Sequence, residues 1–167
     1  MTFTKRDFLT ADLHTIYVDE WLSVEDDDFL HHTQVKSIPQ IHVTGALHYD
    51  GGHLVNTDLQ MKGVMIVPDS ITNEDLEVEF DTASQETYSF SPNADNEDMI
   101  VVKHDTIDVN PEILQAVLYE APMSISRLPR DQYPSGNGWQ LISDQDEPEE
   151  EIDPRWEKLK NFKFEDD

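Results

Sequence analysis

The sequence has no cysteine, which excludes disulfide bonds, cysteine-ligated zinc, iron–sulfur clusters and thiol catalysis. It also lacks long apolar runs. No stretch approaches the roughly 20 apolar residues of a membrane helix, and the segment 1–12 has no apolar run of the roughly 7–15 residues found in a signal peptide. Since a chain without disulfides suits a reducing compartment, we expect a cytoplasmic protein that does not enter a membrane.

Basic residues are scarce and unevenly distributed. The 167 residues include 11 Lys and Arg against 36 Asp and Glu, which gives a formal net charge of −25. The segment 64–102 has no Lys or Arg but ten carboxylates. A field of this sign repels nucleic acid and anionic membranes and attracts cationic proteins. Binding to nucleic-acid phosphate would therefore require a local basic patch.

The sequence also lacks the short motifs of common enzyme classes. It contains neither GxxxxGK[ST] nor GxGxxG, and neither GxSxG nor HExxH. These absences favour a non-enzymatic protein that binds macromolecules and uses no cofactor and no metal. A weaker alternative is a metal-dependent hydrolase that uses His48 and His53 across a hairpin, with Asp50 or Asp58. The more common role for such histidines is on the polar side of a half-exposed sheet.

The centre of the chain alternates between apolar and polar residues, as a β-meander does. The segments 40–49 and 55–67 are predicted strands with one apolar face each, and Asp50-Gly51-Gly52 is a hairpin turn. Gly45 and Gly63 interrupt the apolar faces, which is typical of a bulge or a close backbone approach. Further strands are predicted at 15–21, 75–82, 86–91 and 99–102, and helices at 5–13 and 111–121.

These patterns predict an α+β fold: a twisted antiparallel sheet of five or six strands, open or curled towards a barrel, packed by one or two helices. Thr4 is the expected N-cap of the first helix, and Asn110 that of the second. We expect one domain over 1–142. The segment 143–153 has seven carboxylates in eleven residues and is a predicted disordered linker. The segment 154–167 is a predicted short basic helix.

The candidate binding residues are basic side chains near the C-terminus with one aromatic neighbour. Four of them fall within nine positions and could contact RNA phosphate while the aromatic ring stacks on a base; an alternative is that this basic segment pairs with the acidic body of the same chain. A second small basic spot lies further upstream. The candidates are Arg155, Trp156, Lys158, Lys160 and Lys163, with Arg127 and Arg130.

Four stretches occur in the order found in a known family. They are Ile41-His42-Val43-Thr44-Gly45, the run 61–68 ending in Pro68, the run 107–123 with Asn110-Pro111 and Ala121-Pro122, and Asp153-Pro154-Arg155-Trp156. With these, the chain resembles the YceD family of large ribosomal RNA subunit accumulation proteins. Many relatives carry cysteines after the proline and after the helix, where this chain has 69–72 and 127–138. Any metal or thiol role of those cysteines is excluded here, and the low cysteine content is similar to that of Gram-positive relatives.

The resemblance implies a bacterial role in making or stabilising large-subunit (23S) ribosomal RNA, without a known catalytic activity and without catalytic residues to carry over. Two hypotheses follow. The first is a ribosome-biogenesis factor that binds ribosomal RNA or pre-50S particles through the basic candidates. The second is an acidic binding partner or chaperone for a basic ribosomal protein, motivated by the charge of −25. Neither involves a membrane or a small-molecule substrate.

Overall fold

The computed structural model describes residues 1–24, 30–91 and 99–140. The chain divides into two compact units, Met1–Arg127 and Leu128–Asp167. The boundaries of the predicted linker and C-terminal helix lie outside the described residues, so these segments stay predictions.

The first unit contains most of the regular structure. In chain order its elements are β1 (Thr2–Thr4), α1 (Lys5–Thr10), a 3₁₀ turn (Asp12–His14), β2 (Thr15–Val24), β3 (Ser37–Tyr49), β4 (Leu54–Pro68), β5 (Asp75–Ser84), β6 (Thr87–Ser89), β7 (Ile100–Val101), β8 (Thr106–Asp108) and α2 (Asn110–Tyr119). The described part of the second unit has a 3₁₀ turn (Arg130–Gln132) and the short antiparallel strands β9 (Ser135–Gly136) and β10 (Trp139–Gln140).

The predicted α+β class is confirmed. The long strands β2, β3 and β4 pair in that order, and β4 then pairs with β5 along one stretch and with β6 along another. All these pairs are antiparallel, whereas β7 joins β6 in parallel. In the described residues the strand path ends at β2 and β7 without closing into a barrel. A separate two-stranded sheet joins β1 to β8.

The core lies on one side of the large sheet, where alternate residues are buried as the period of two predicts. From the long strands it includes Ile41, Val43, Leu47, Tyr49, Val55, Leu59, Met61, Met65 and Val67. The helix α2 adds Ile113, Leu114 and Val117, three apolar residues at helical spacing. The opposite side of β2, β3 and β4 therefore faces solvent.

Gly45 and Gly63 mark close backbone approaches, as predicted. A Cβ on Gly45 would lie 2.1 Å from the carbonyl oxygen of Asp58, and one on Gly63 would lie 2.0 Å from that of Gln40. Gly45 also has φ of +149°, a conformation that L side chains rarely adopt. Glycine at these positions lets β3 and β4 stay paired without a side chain forcing them apart.

The first helix is shorter than predicted. Thr4 begins it as expected: its backbone N–H and its hydroxyl each donate to the Asp7 carboxylate at 2.7 Å. The helix ends at Thr10 because Ala11 is extended, with φ of −73° and ψ of 149°, and Leu13 and His14 then follow with left-handed φ values of 51° and 54°. A helix over 5–13 would place the apolar side chains of Phe8, Leu9 and Leu13 on one side, which is wrong, since Phe8 is buried whereas Leu13 is 82% exposed.

The start of α2 also differs from the prediction. Asn110 is the first helical residue rather than the cap, and Val109 stands at the N-cap position. Asp108 supplies the local side-chain contact, because its Oδ1 accepts the Asn110 N–H at 3.1 Å. The Asn110 side chain instead accepts a hydrogen bond from the N-terminal ammonium of Met1. The helix thus starts where the chain terminus is tethered.

Candidate binding surface

Of the sequence-predicted binding residues, Arg127 lies at the end of the first unit. Its Nη2 is 3.5 Å from the carbonyl oxygen of Glu77, and its backbone N–H donates to the carboxylate of Asp69. Arg130 begins the 3₁₀ turn of the second unit. The other five, Arg155, Trp156, Lys158, Lys160 and Lys163, lie outside the described residues.

The backbone of Arg127 is held in place by the buried carboxylate of Asp69. Asp69 accepts hydrogen bonds from the backbone N–H groups of Ile71 (2.8 Å), Thr72 (3.0 Å) and Arg127 (2.8 Å) and from the Ser126 hydroxyl (3.0 Å). The bond from Thr72 and the other donors hold the pKa of Asp69 well below its usual range, although desolvation opposes them. The segment after α2 is thereby fastened to the turn after β4.

The solvent side of the long strands brings polar, charged and aromatic side chains together. Strand register places four cross-strand rows on it: Thr15–His48–Asn56, Tyr17–Ala46–Asp58, Asp19–Thr44–Gln60–Ala83 and Trp21–His42–Lys62–Asp81. We call these rows the outer face. Directly opposite residues in antiparallel strands share one side of a sheet, so side chains from four strands form a continuous surface.

A stacked aromatic pair lies at one end of the outer face. The rings of Trp21 and His42 are parallel to within 5°, with centroids 4.2 Å apart. Asp19, in the neighbouring row, also contacts the imidazole, since His42 Nε2 lies 2.7 Å from its Oδ1. Trp21 is nevertheless 58% exposed. The result is an indole that is oriented by its neighbours and still accessible to a partner.

Tyr17 is the second accessible ring and is 83% exposed. Its cross-strand neighbour is Ala46, and Gly45 next to it has no side chain. The small residues leave a shallow open groove beside the phenol, lined by Tyr17, Thr44, Gly45, Ala46, Asp58 and Gln60. The small Ala46 side chain opposite Tyr17 thus leaves the phenol accessible on the solvent side of the sheet.

The outer face is acidic. Its charged side chains in the four rows are Asp19, Asp58, Asp81 and Lys62. The ammonium of Lys62 lies 2.9 Å from Asp81, and the hydrogen bonds from Lys62 and Gln60 lower the pKa of Asp81. Since Lys62 is paired with Asp81 within the face, Asp19 and Asp58 give the outer face a net negative charge towards a partner.

A second concavity lies between α2 and the link from β5 to β6, with a volume of about 290 Å³. Three carboxylates line it, from Glu86, Glu112 and Glu120. One oxygen of Glu112 is buried and has no hydrogen-bond partner among the described residues. Burial first, and the neighbouring Glu112 next, raise the pKa of Tyr88. This cleft is acidic, and no Lys, Arg or His is among its lining residues.

The metal-hydrolase alternative has no site in the described residues, where no group of three or more His, Asp or Glu side chains is arranged to hold a metal ion. His48 instead contacts the Thr15 hydroxyl at 2.9 Å. Asp50 is used within the hairpin turn, where its carboxylate accepts the N–H groups of Gly52 and Leu54. These residues therefore serve the sheet and its turn.

Sequence analysis missed Tyr17 and Trp21 as candidate binding residues. The information was present: once Ile16 and Val18 are assigned to the core side of a strand, residues 17, 19 and 21 must point outwards. The cross-strand neighbours of these residues could not be predicted in the same way, because the β2–β3 register depends on how the segment 25–36 connects the two strands. Only the structure pairs Trp21 with His42.

Comparison with known proteins identifies relatives. The family model described as large ribosomal RNA subunit accumulation protein YceD matches residues 57–163. The Bacillus subtilis (strain 168) protein named uncharacterized protein YlbN is 31% identical over 119 residues, covering 68% of this chain and 69% of the relative. No solved structure matches the chain. Neither helix in the described part has the length and apolar character needed to cross a membrane.

Proposed function

Because the chain belongs to the YceD family of large ribosomal RNA subunit accumulation proteins, we propose that it is a non-enzymatic ribosome-biogenesis factor. In this role it promotes accumulation or maturation of 23S ribosomal RNA by binding the RNA or pre-50S particles in the cytoplasm. The family match over 57–163 carries the proposal. A binding role is supported by the outer face, which presents ordered aromatic rings and carboxylates on rigid strands.

The proposed RNA contact uses the basic residues that follow the acidic segment. Arg155, Lys158, Lys160 and Lys163 would neutralise phosphates while Trp156 stacks on a base, with Arg127 and Arg130 as a second contact. Charges farther away than a Debye length of roughly 10 Å at 0.1 M salt are largely screened. A local basic patch can therefore meet RNA on a protein whose net charge is −25.

The test for the cellular role is deletion of the gene followed by complementation. We expect the deletion strain to accumulate less 23S RNA relative to 16S RNA, and the full chain to restore the ratio. The tagged protein should sediment with pre-50S particles. A normal 23S to 16S ratio in the deletion strain, with the protein only at the top of the gradient, would refute the proposed function.

The RNA contact is tested separately by crosslinking in cells. A full-length variant with Arg155, Lys158, Lys160 and Lys163 changed to Gln keeps the chain length while removing the charges. We expect it to lose most 23S crosslinks. The matched control changes Lys5, Arg6, Lys36 and Lys103 to Gln, which alters the net charge equally. Equal crosslinking by both variants would contradict the assignment to the C-terminal residues.

A second candidate function is favoured by the acidic outer face: a binding partner or chaperone for a basic ribosomal protein. Asp19 and Asp58 would attract such a protein, and opposite fields speed association and select against acidic partners. Pull-down from cells at low and high salt tests this function. Recovery of no ribosomal protein at low salt would exclude it.

A further inference from the structure

We infer that the outer face docks an extended, arginine-rich segment of a basic protein, with Tyr17 and Trp21 as the two stacking positions. The inference deepens the proposed function and rests on it, because it names the class of partner that this surface takes. It does not depend on the residues that follow position 140.

The spacing of the two aromatic rings suits an extended peptide. Tyr17 and Trp21 lie on the same side of β2, four residues apart, which corresponds to roughly 13 Å along a strand at about 3.3 Å per residue. An extended peptide repeats its side chains with the same period, so residues four positions apart on the partner reach both rings. Asp19 lies between them in the same line of outward side chains.

The chemistry of the face selects a guanidinium. A planar cation stacks on the face of Trp or Tyr while its N–H groups reach a neighbouring carboxylate. Asp19 is 80% exposed despite its contact with His42, and Asp58 lines the groove beside Tyr17. Asp58 thus lies in the same row as Tyr17, and Asp19 lies two residues before Trp21 on β2. A lysine ammonium would meet the same charge but lacks the planar surface.

The same charges disfavour RNA on this face. Bases can stack on exposed aromatic rings, but the attached phosphates would meet Asp19 and Asp58, with Lys62 already paired to Asp81.

The stacking of Trp21 on His42 favours binding of a partner of either kind, because an indole that is already oriented loses less conformational freedom when the partner binds. An oriented ring beside an exposed carboxylate therefore fits a basic polypeptide better than a nucleic acid.

The test measures peptide binding to the full-length protein by fluorescence anisotropy. The probe is a labelled peptide of alternating arginine and glycine, compared with the same peptide carrying lysine and with a uridine oligonucleotide. We expect the arginine peptide to bind most tightly. The double variant Tyr17→Ala/Trp21→Ala should bind it about ten-fold more weakly, as expected for two partly desolvated cation–π contacts.

This double variant separates stacking from general attraction, because it leaves the net charge unchanged. The matched control is Tyr119→Ala, which removes a ring that is 78% exposed on α2 and belongs to none of the four rows of the outer face. Circular dichroism should show that both variants fold. Equal affinity of wild type and double variant for the arginine peptide would overturn the inference, and so would tighter binding of the oligonucleotide or an equal preference for lysine.

Complementation distinguishes failure of the inference from failure of the proposed function. If the deletion strain keeps a normal 23S to 16S ratio, the proposed function fails whatever the peptide does. If the full chain restores a lowered ratio and the double variant restores it equally, the proposed function stands and the inference is overturned. We expect the double variant to restore it only partly, and Tyr119→Ala to restore it fully.

Discussion

The carboxylate of Asp69 accepts the backbone N–H of Arg127 at 2.8 Å, across 58 positions of sequence. Ser126 donates to the same carboxylate, and Ser70 adds a second link by donating its N–H to the Ile125 carbonyl at 2.8 Å. The chain after α2 is therefore held against the turn after β4 by a carboxylate whose lone pairs are fully used. We expect both the thermal stability and its pH dependence to reflect this contact.

Asp69→Asn should lower the melting temperature by several degrees. The amide keeps one acceptor oxygen, so some of the four donors lose their partner, and buried donors without partners are costly. Thermal unfolding followed by circular dichroism measures the effect. The control is Asp58→Asn, which makes the same chemical change on an exposed strand position and should leave the melting temperature nearly unchanged. Equal shifts in both variants would contradict this role for Asp69.

Asp69 should also make the free energy of unfolding depend on pH in the acid range. Its folded pKa is lowered by its hydrogen bonds, whereas the unfolded value is about 3.9. Its contribution is thus fully present above the unfolded pKa and is lost as the pH falls below about 4 towards the folded pKa. Urea unfolding at a series of pH values should show a steeper acid loss for wild type than for Asp69→Asn. Parallel curves for the two proteins would argue against the prediction.

Gly45→Ala should destabilise the sheet by about 2–4 kcal/mol, because it adds both a steric clash and an unfavourable backbone conformation. The new Cβ would meet the Asp58 carbonyl at 2.1 Å, whereas the nearest atom to a Cβ on Gly52 is a side-chain oxygen at 3.4 Å. Gly52→Ala is therefore the control and should cost less than about 1 kcal/mol. Denaturant unfolding measures both, and a similar cost would disprove the close approach.

Phe8→Ala should cost about 3–5 kcal/mol, the usual loss for truncating a buried aromatic side chain. Phe8 is fully buried, and its ring contacts those of Phe3, Tyr49 and Phe90 at centroid distances of 6.4, 6.1 and 6.5 Å. Leu9→Ala in the same helix is the control and should cost well under 1 kcal/mol, because Leu9 is 55% exposed. A large loss for Leu9→Ala would mean that α1 packs through a different side.

Much of the fold was predictable because its information is local. The alternation of apolar residues in β3 and β4 predicted the buried side of both strands, and the two glycines predicted the close approaches. The two errors have different causes. An extended Ala11 ends α1 early, and no strong sequence pattern marks a break at alanine, which is a good helix former. The cap of α2 was misassigned because Asn110 contacts Met1, a residue distant in sequence.

The sequence by itself determined the acidic charge, the absence of thiol chemistry, the family resemblance and the α+β class, because composition and periodicity are properties of the chain. The tertiary structure decided which side chains meet. Strand register stacked Trp21 on His42, and the fold brought Asp69 to Ser126 and Arg127. Such contacts depend on turn geometry and on the packing of distant segments, which the spacing of residues along one chain does not specify.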